Sequence, residues 1–198
     1  MNDRINVDAV ETLHRDTIVS WKALGVNVCA SDFLRLVEEN HAFNYQLWHA
    51  EDRARREDLG HEFVYLAKRE IDACNQQRND RMEAMDAFIM DALHPELPAN
   101  CPVHSETPGM MIDRLSILAL KAYHMTLQVD RQEVDEAHRD ACRGKLQVIL
   151  AQKKQLVVCL KELLAELTNK TRTFCVYHQF KMYNSNTLNP QLYERAKH

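Results

Sequence analysis

Six carboxylates and a set of cations recur along this chain at spacings that helices would gather into stripes. Glu51, Asp52, Asp72, Glu83, Asp86 and Asp113 supply the oxygen ligands that a hard cation such as Mg²⁺ prefers. Arg55, Lys68, Arg78, Arg114 and Lys121 suit phosphate or carboxylate groups, and Asn75 and Asn79 add amides beside them. Together they suit a phosphorylated or sugar-nucleotide ligand bridged by a metal. If catalytic, such a site would run phosphoanhydride hydrolysis or transfer, with the metal clamping charge. His124 has the chemistry of a general acid or base there. Trp48 suits a platform for a planar ligand, or plain core.

At ~100° per residue, Lys68, Asp72, Asn75, Asn79, Glu83 and Asp86 fall in one narrow stripe. The ordinary meaning of such a stripe is a solvated face. Two features argue for more. Asn and Asp are poor mid-helix residues, because their side chains compete for backbone hydrogen bonds, yet Asn75-Gln76-Gln77-Arg78-Asn79-Asp80 lies in mid-helix. Arg78 also falls inside the apolar arc of Ile71, Cys74, Met82 and Met85. A cation there needs a partner, since burying it alone costs several kcal/mol. A second segment, Met110 to Leu127, is apolar around most of its circumference and is therefore expected at the centre. Asp113, Arg114, Lys121 and His124 nevertheless share one ~100° arc of it. A third stripe holds Asn44, Trp48, Glu51 and Arg55, with Asp52 beside it. Three stripes on packed helices can converge on one cavity. They can equally form an internal salt-bridge network, Asp113 with Arg78 for example.

The elements that must position these residues are helices. Only 4 Gly and 5 Pro punctuate 198 residues, too few for the turns of an all-β chain. Apolar positions recur at helical spacing over about 8–24, 32–56, 62–93, 108–129 and 134–167. Gly25, Gly60 and Pro95 mark stops, and Thr107-Pro108 is a cap followed by proline at the first helical position. The expected fold is all-α: a bundle of five long helices over residues 1–169. A tail, 170–198, rich in aromatic and basic residues (Phe174, Tyr177, Phe180, Tyr183, Tyr193), is expected to pack on the same domain rather than leave its aromatics exposed.

A net charge of −4 disfavours general nucleic-acid binding. No apolar run approaches the ~18–20 residues of a membrane helix, and the charged first residues do not resemble a signal peptide. Six scattered cysteines without a CxxC pair suit a reducing, cytoplasmic setting. Cys101-Pro-Val-His104 is an isolated zinc-like spacing. Glu38-x-x-His41 and Asp135-x-x-His138 have the carboxylate-x-x-His spacing of di-iron bundles, but the remaining Glu helices are missing and Asp135 sits where a helix cap belongs. Expected partners are a small anionic molecule or a protein, and a homo-oligomer stays open.

Several words of this sequence resemble the bacterial domain-of-unknown-function family 4254. They are Trp48-His-x-Glu51-Asp52-x-x-Arg55, Lys68-Arg-x-Ile-Asp72-x-x-Asn75-Gln76-x-Arg78-x-Asp80-x-x-Glu83-x-x-Asp86, Glu106-Thr107, and Ile112-Asp113-Arg114-Leu-Ser116 through Lys121-x-Tyr123-His124-Met125. Lys181-Met-Tyr-Asn184 and Leu188-Asn-Pro190-x-Leu-Tyr193 extend the resemblance into the tail. It implies an all-helical protein with no catalytic assignment to carry over. It further implies an association with surface-polysaccharide or lipopolysaccharide assembly, in which the chain would act through a ligand site or as a non-catalytic accessory protein. Glu83-x-x-Asp86 followed by Asp113 is also similar to part of the carboxylate set of all-α nucleoside triphosphate pyrophosphohydrolases, whose upstream Glu-x-x-Glu is absent here.

Overall fold

The helices begin where a side chain can meet their first free N–H groups. Asn6 Oδ1 accepts from the amides of Asp8 and Ala9 and opens α1, Val7–Leu24, which Gly25 closes at a φ of 83°. α2 spans Asp32–Ala54. Ser31 stands at its cap position without a capping bond, and Glu38 instead ties down the preceding loop through the amides of Cys29 and Ala30. A 3-10 turn, Glu57–Leu59, and Gly60 at φ 92° reverse the chain into α3, His61–Leu93. Thr107 caps α4, Pro108–Val129, by accepting from the Met110 amide. Asp135 does the same for α5, Glu136–Thr168, through the His138 amide. A short α6, Pro190–Tyr193, follows in the tail.

This computed structural model describes residues 5–93, 100–180, 182 and 185–194. Residues 94–99, which include the expected stop at Pro95, and Lys181, Tyr183 and Asn184 of the tail lie outside the described residues. The five long helices match the expected ones to within about two residues at each end.

The helices pair as two hairpins, α2 on α3 and α4 on α5, with α1 laid across them. α4 packs against each of the other four long helices, so the segment that is apolar all round is the central one. Its Ile112 and Leu115 share one buried core cluster with Phe33, Val37, Met85, Ile89, Leu160 and Leu167. α3 and α4 approach closely at Gly109, where a Cβ would stand 2.5 Å from the Met82 carbonyl oxygen and 2.8 Å from Asp86 Oδ1. The Gly109 amide uses that closeness, donating to Asp86 Oδ1 at 2.7 Å.

The tail is fastened at two places. Thr173–Phe174 (β2) pairs in parallel with Val103–His104 (β1), which buries Phe174 in the core. Glu83 on α3 then accepts from His178 Nδ1 at 2.9 Å and from the Gln179 amide at 2.7 Å. Just past that clamp Phe180 is 82% exposed. Among the described residues no helix is long and apolar enough to cross a membrane.

Candidate functional site

Asp113 is the residue around which α2, α3 and α4 are joined. It is 4% exposed, and its Oδ1 accepts from three donors: Arg78 Nε at 2.9 Å, Asn44 Nδ2 at 2.9 Å and Asn40 Nδ2 at 3.1 Å. Asn40 also donates to the Arg78 carbonyl, and Arg78 to Asn75 Oδ1, so the guanidinium is held from both sides. A buried carboxylate gains from such charge-assisted bonds most of what desolvation takes away.

The network continues inward. Asn44 donates to Ser116 Oγ at 2.9 Å, and Ser116 Oγ lies 2.6 Å from His41 Nδ1. His41 Nε2 faces the His14 carbonyl at 3.1 Å, which can only accept. The network thus assigns the proton to Nε2 and leaves Nδ1 to accept from the serine hydroxyl. Burial pushes His41 down to about 3, against a smaller opposing effect of that carbonyl. Burial likewise holds His14 well below its ordinary value, with His41 and then Lys153 adding to the effect. Ser116 and His41 have the contact of a nucleophile and its base, yet both are fully buried. They anchor α2 to α4 and are closed to substrate.

Above this floor a cleft of about 290 Å³ opens between the three helices. α2 contributes Trp48, Glu51 and Asp52, with Arg55 just past its end; Arg78 comes from α3 and Ile117 from α4. Arg55 pairs with Glu51 at 2.9 Å across one helical turn. His124 does not line the cleft. Its ring lies flat on the Trp48 indole, with centroids 4.4 Å apart and planes 7° from parallel. Burial foremost, then His49, lowers its pKa, so the stacked imidazole is held towards the neutral form. It touches the cleft through the Trp48 ring, and its own Nε2 is buried without a partner among the described residues.

The cleft therefore unites Trp48, Glu51, Asp52, Arg55 and Arg78, with Asp113 beneath them and Asn75 bracing Arg78. Other expected members go elsewhere. Lys68 and Asp72 form an i,i+4 pair at 2.6 Å away from the cleft. Asn79 does not line it either. Glu83 clamps the tail, and Asp86 caps α4, with burial raising its pKa to about 6 against the bonds from Thr107 and Gly109. Arg114 and Lys121 line a separate groove between α4 and α5.

The expected carboxylate set for Mg²⁺ is thus dispersed. Among the described residues no three His, Cys, Asp or Glu side chains are grouped so that they could hold a metal ion. The physical reason is prior commitment: Glu51, Asp72, Glu83, Asp86 and Asp113 each already have a cation or an N–H group. As placed here, the residues do not fit a single protein-held metal, and the carboxylates Glu83, Asp86 and Asp113 compared with the pyrophosphohydrolase set are engaged at three different places. The isolated metal-like spacings resolve into structure as well. Glu38 ties a loop, Asp135 caps α5, and His104 bonds the Glu106 backbone.

Asn40, Ser116 and His14 are not among the candidate site residues that the sequence offers, and His41 enters there only through the Glu38-x-x-His41 spacing. The signal that could have found Asn40 is the one applied to α3: Asn40 and Asn44 are two mid-helix asparagines at i,i+4 spacing, where side chains of that type need an external reason.

Comparison with known proteins agrees with the sequence words. The chain matches the model of a protein family of unknown function (DUF4254) over residues 34–176, most of its length, and belongs to that family. The cleft and its floor fall inside the matched region apart from His14, whereas the tail beyond Val176 falls outside it. No curated protein and no solved structure matches the chain.

Proposed function

We propose that the cleft between α2, α3 and α4 binds a small phosphorylated sugar. The observation that carries this reading is the convergence of Trp48, Glu51, Asp52, Arg55 and Arg78 on one opening over a hydrogen-bonded polar floor in which Asn44 Oδ1 is left without a partner among the described residues. A flat indole offers its face to the apolar side of a sugar ring, the carboxylates accept from ring hydroxyls, and the guanidinium groups take the phosphate. At about 290 Å³ the cleft is at the lower end of the ~300–1,000 Å³ typical of ligand sites. That favours one ring with its phosphate over a whole sugar nucleotide. The charge of the ligand is met by arginines, without a metal held by carboxylates. The reading is one of binding, and it accords with a place in surface-polysaccharide metabolism.

The test is a thermal-shift series with hexose 1-phosphates, hexose 6-phosphates, nucleoside monophosphates and uridine diphosphosugars, each with and without Mg²⁺. A ligand at 100 times its Kd adds ~2.7 kcal/mol, and each kcal/mol moves Tm by ~2–4 °C at this size. Hexose phosphates are expected to raise Tm independently of Mg²⁺, and R55Q, an exposed change, to remove most of the rise. A flat response to the whole panel overturns the proposal. It would shift weight to the accessory-protein reading, which the exposed Phe180 in the tail favours.

A further inference from the structure

The polar arc of α4 is split between two sides of the helix. Asp113 and Ser116 face α2 and α3, while Arg114 and Lys121 face α5. On the α5 side lies a groove of about 720 Å³, more than twice the size of the cleft at 290 Å³. Ile117 lines both, so α4 is the wall between them.

The lining of this groove has two chemistries. Met111, Leu118 and Leu156, each less than a tenth exposed, back an apolar floor whose more open member is the half-buried Ile117. Arg114, Lys121, Gln152 and Gln155 make its rim one of donors. Its one lining acid, Glu106, is already paired with Arg114. Lys121 is exposed and has no ion-pair partner among the described residues. Arg114 and Lys121 are about two turns apart on one face, so both can reach an anion lying over Ile117 and Leu118. From Met111 to Lys121 the floor runs roughly 15 Å at ~1.5 Å per residue.

We infer that this groove is a second binding site, for an amphipathic anion: a carboxylate or phosphate carried on an extended apolar body. Lys121 and Arg114 take the anion, and the Met111–Ile117–Leu118–Leu156 floor takes the apolar part. The inference is independent of the sugar-phosphate reading, because it uses other residues on the other side of α4.

The groove carries its own reporter. Cys159 lines it and is exposed, while Cys29 and Cys175 are exposed elsewhere on the molecule. The experiment follows iodoacetamide alkylation of each cysteine by peptide mass spectrometry. Dodecyl phosphate, dodecanoate, inorganic phosphate and dodecanol are compared, the amphiphiles below their micellar concentration. Either anionic amphiphile, at ~10 times its Kd, is expected to slow Cys159 alkylation about tenfold and to leave Cys29 and Cys175 unchanged. K121Q, a surface change that leaves the fold intact, is expected to raise the concentration needed about tenfold. W48L in the other cleft, whatever it does to that cleft, is expected to leave the protection of Cys159 unchanged. Equal slowing at all three cysteines, no slowing at Cys159, or protection undiminished in K121Q overturns the inference. Protection by dodecanol alone, or by inorganic phosphate alone, overturns its amphipathic part.

Discussion

The two polar faces of α4 treat similar residues in opposite ways. Towards α2 and α3, Asp113 is 4% exposed and one of its oxygens takes three donors, from Arg78, Asn40 and Asn44. Towards α5, Arg114 has a 58% exposed side chain, and Lys121 has no ion-pair partner among the described residues and lies over an apolar floor. The first arrangement is closed: Asp113 takes donors from α2 and α3, and Ser116 is met by Asn44 and His41 of α2, so the network fixes how the helices sit, although Asn44 Oδ1 lacks a partner among the described residues. The second is open: its donors have room and little internal competition. Polar residues on a central helix are thus of two kinds, and the number of protein partners separates those that hold the fold from those available to a ligand.

The largest effect should come from breaking the closed side. D113A leaves the Arg78 guanidinium and two buried amides without their shared acceptor, a loss of about 3–5 kcal/mol. D113N keeps the shape and one acceptor but not the charge, and should lose less, about 1.5–3 kcal/mol. Urea unfolding at neutral pH reads both. A D113A protein as stable as wild type would mean that Arg78 turns to water at no cost and that the floor is not structural.

How much of this was legible in sequence depends on which question is asked. Helix positions followed from period and caps, and the Arg78–Asp113 pair is one example of what one cation in an apolar arc and one acid on a central helix can form. What the α3 stripe would meet did not follow. Lys68 to Asp86 spans roughly 27 Å of helix at ~1.5 Å per residue. A stripe that long passes several neighbours: solvent at Lys68–Asp72, the tail at Glu83, the start of α4 at Asp86. Angle on a helical wheel says which residues share a side and nothing about what lies over each turn. The same limit separated Arg114 from Asp113, adjacent in sequence and ~100° apart in projection. The cleft itself was half legible: Trp48, Glu51, Asp52 and Arg55 lie within two turns, short enough for a stripe to mean a site.

A smaller effect tests the closed side at its other end, where Asp86 caps α4. Burial raises this carboxyl to about 6, and the Gly109 amide only partly opposes that. The folded protein then holds a proton between about pH 4 and 6 that the unfolded chain releases. Stability gains from Asp86 as pH falls through that window, by about 3 kcal/mol at the full shift. His41, held down to about 3, acts with the opposite sign: its neutral form supports stability above about 6.5, and support is lost as pH falls towards 3. The difference between wild type and D86N cancels the histidine contribution. Plotted against pH from urea unfolding, that difference should rise on acidification from 6 to 4. A flat difference would show that Asp86 stays ionised and that the cap outweighs its burial.

The smallest effect belongs to the open side, and its smallness is the point. K121Q and R114Q remove charges that make no buried bond, so each should change stability by no more than about 0.5 kcal/mol. R114Q also releases Glu106 from an ion pair whose arginine is 58% exposed, a contact of the kind that contributes little. Urea midpoints indistinguishable from wild type would place these cations outside the fold's own requirements. A loss of 2 kcal/mol or more, the scale of a broken buried contact, would make the α5 side a second structural network and dissolve the contrast between the two faces. Stability is thus the first thing to measure on either variant, since only a residue the fold can spare is free to answer to a ligand.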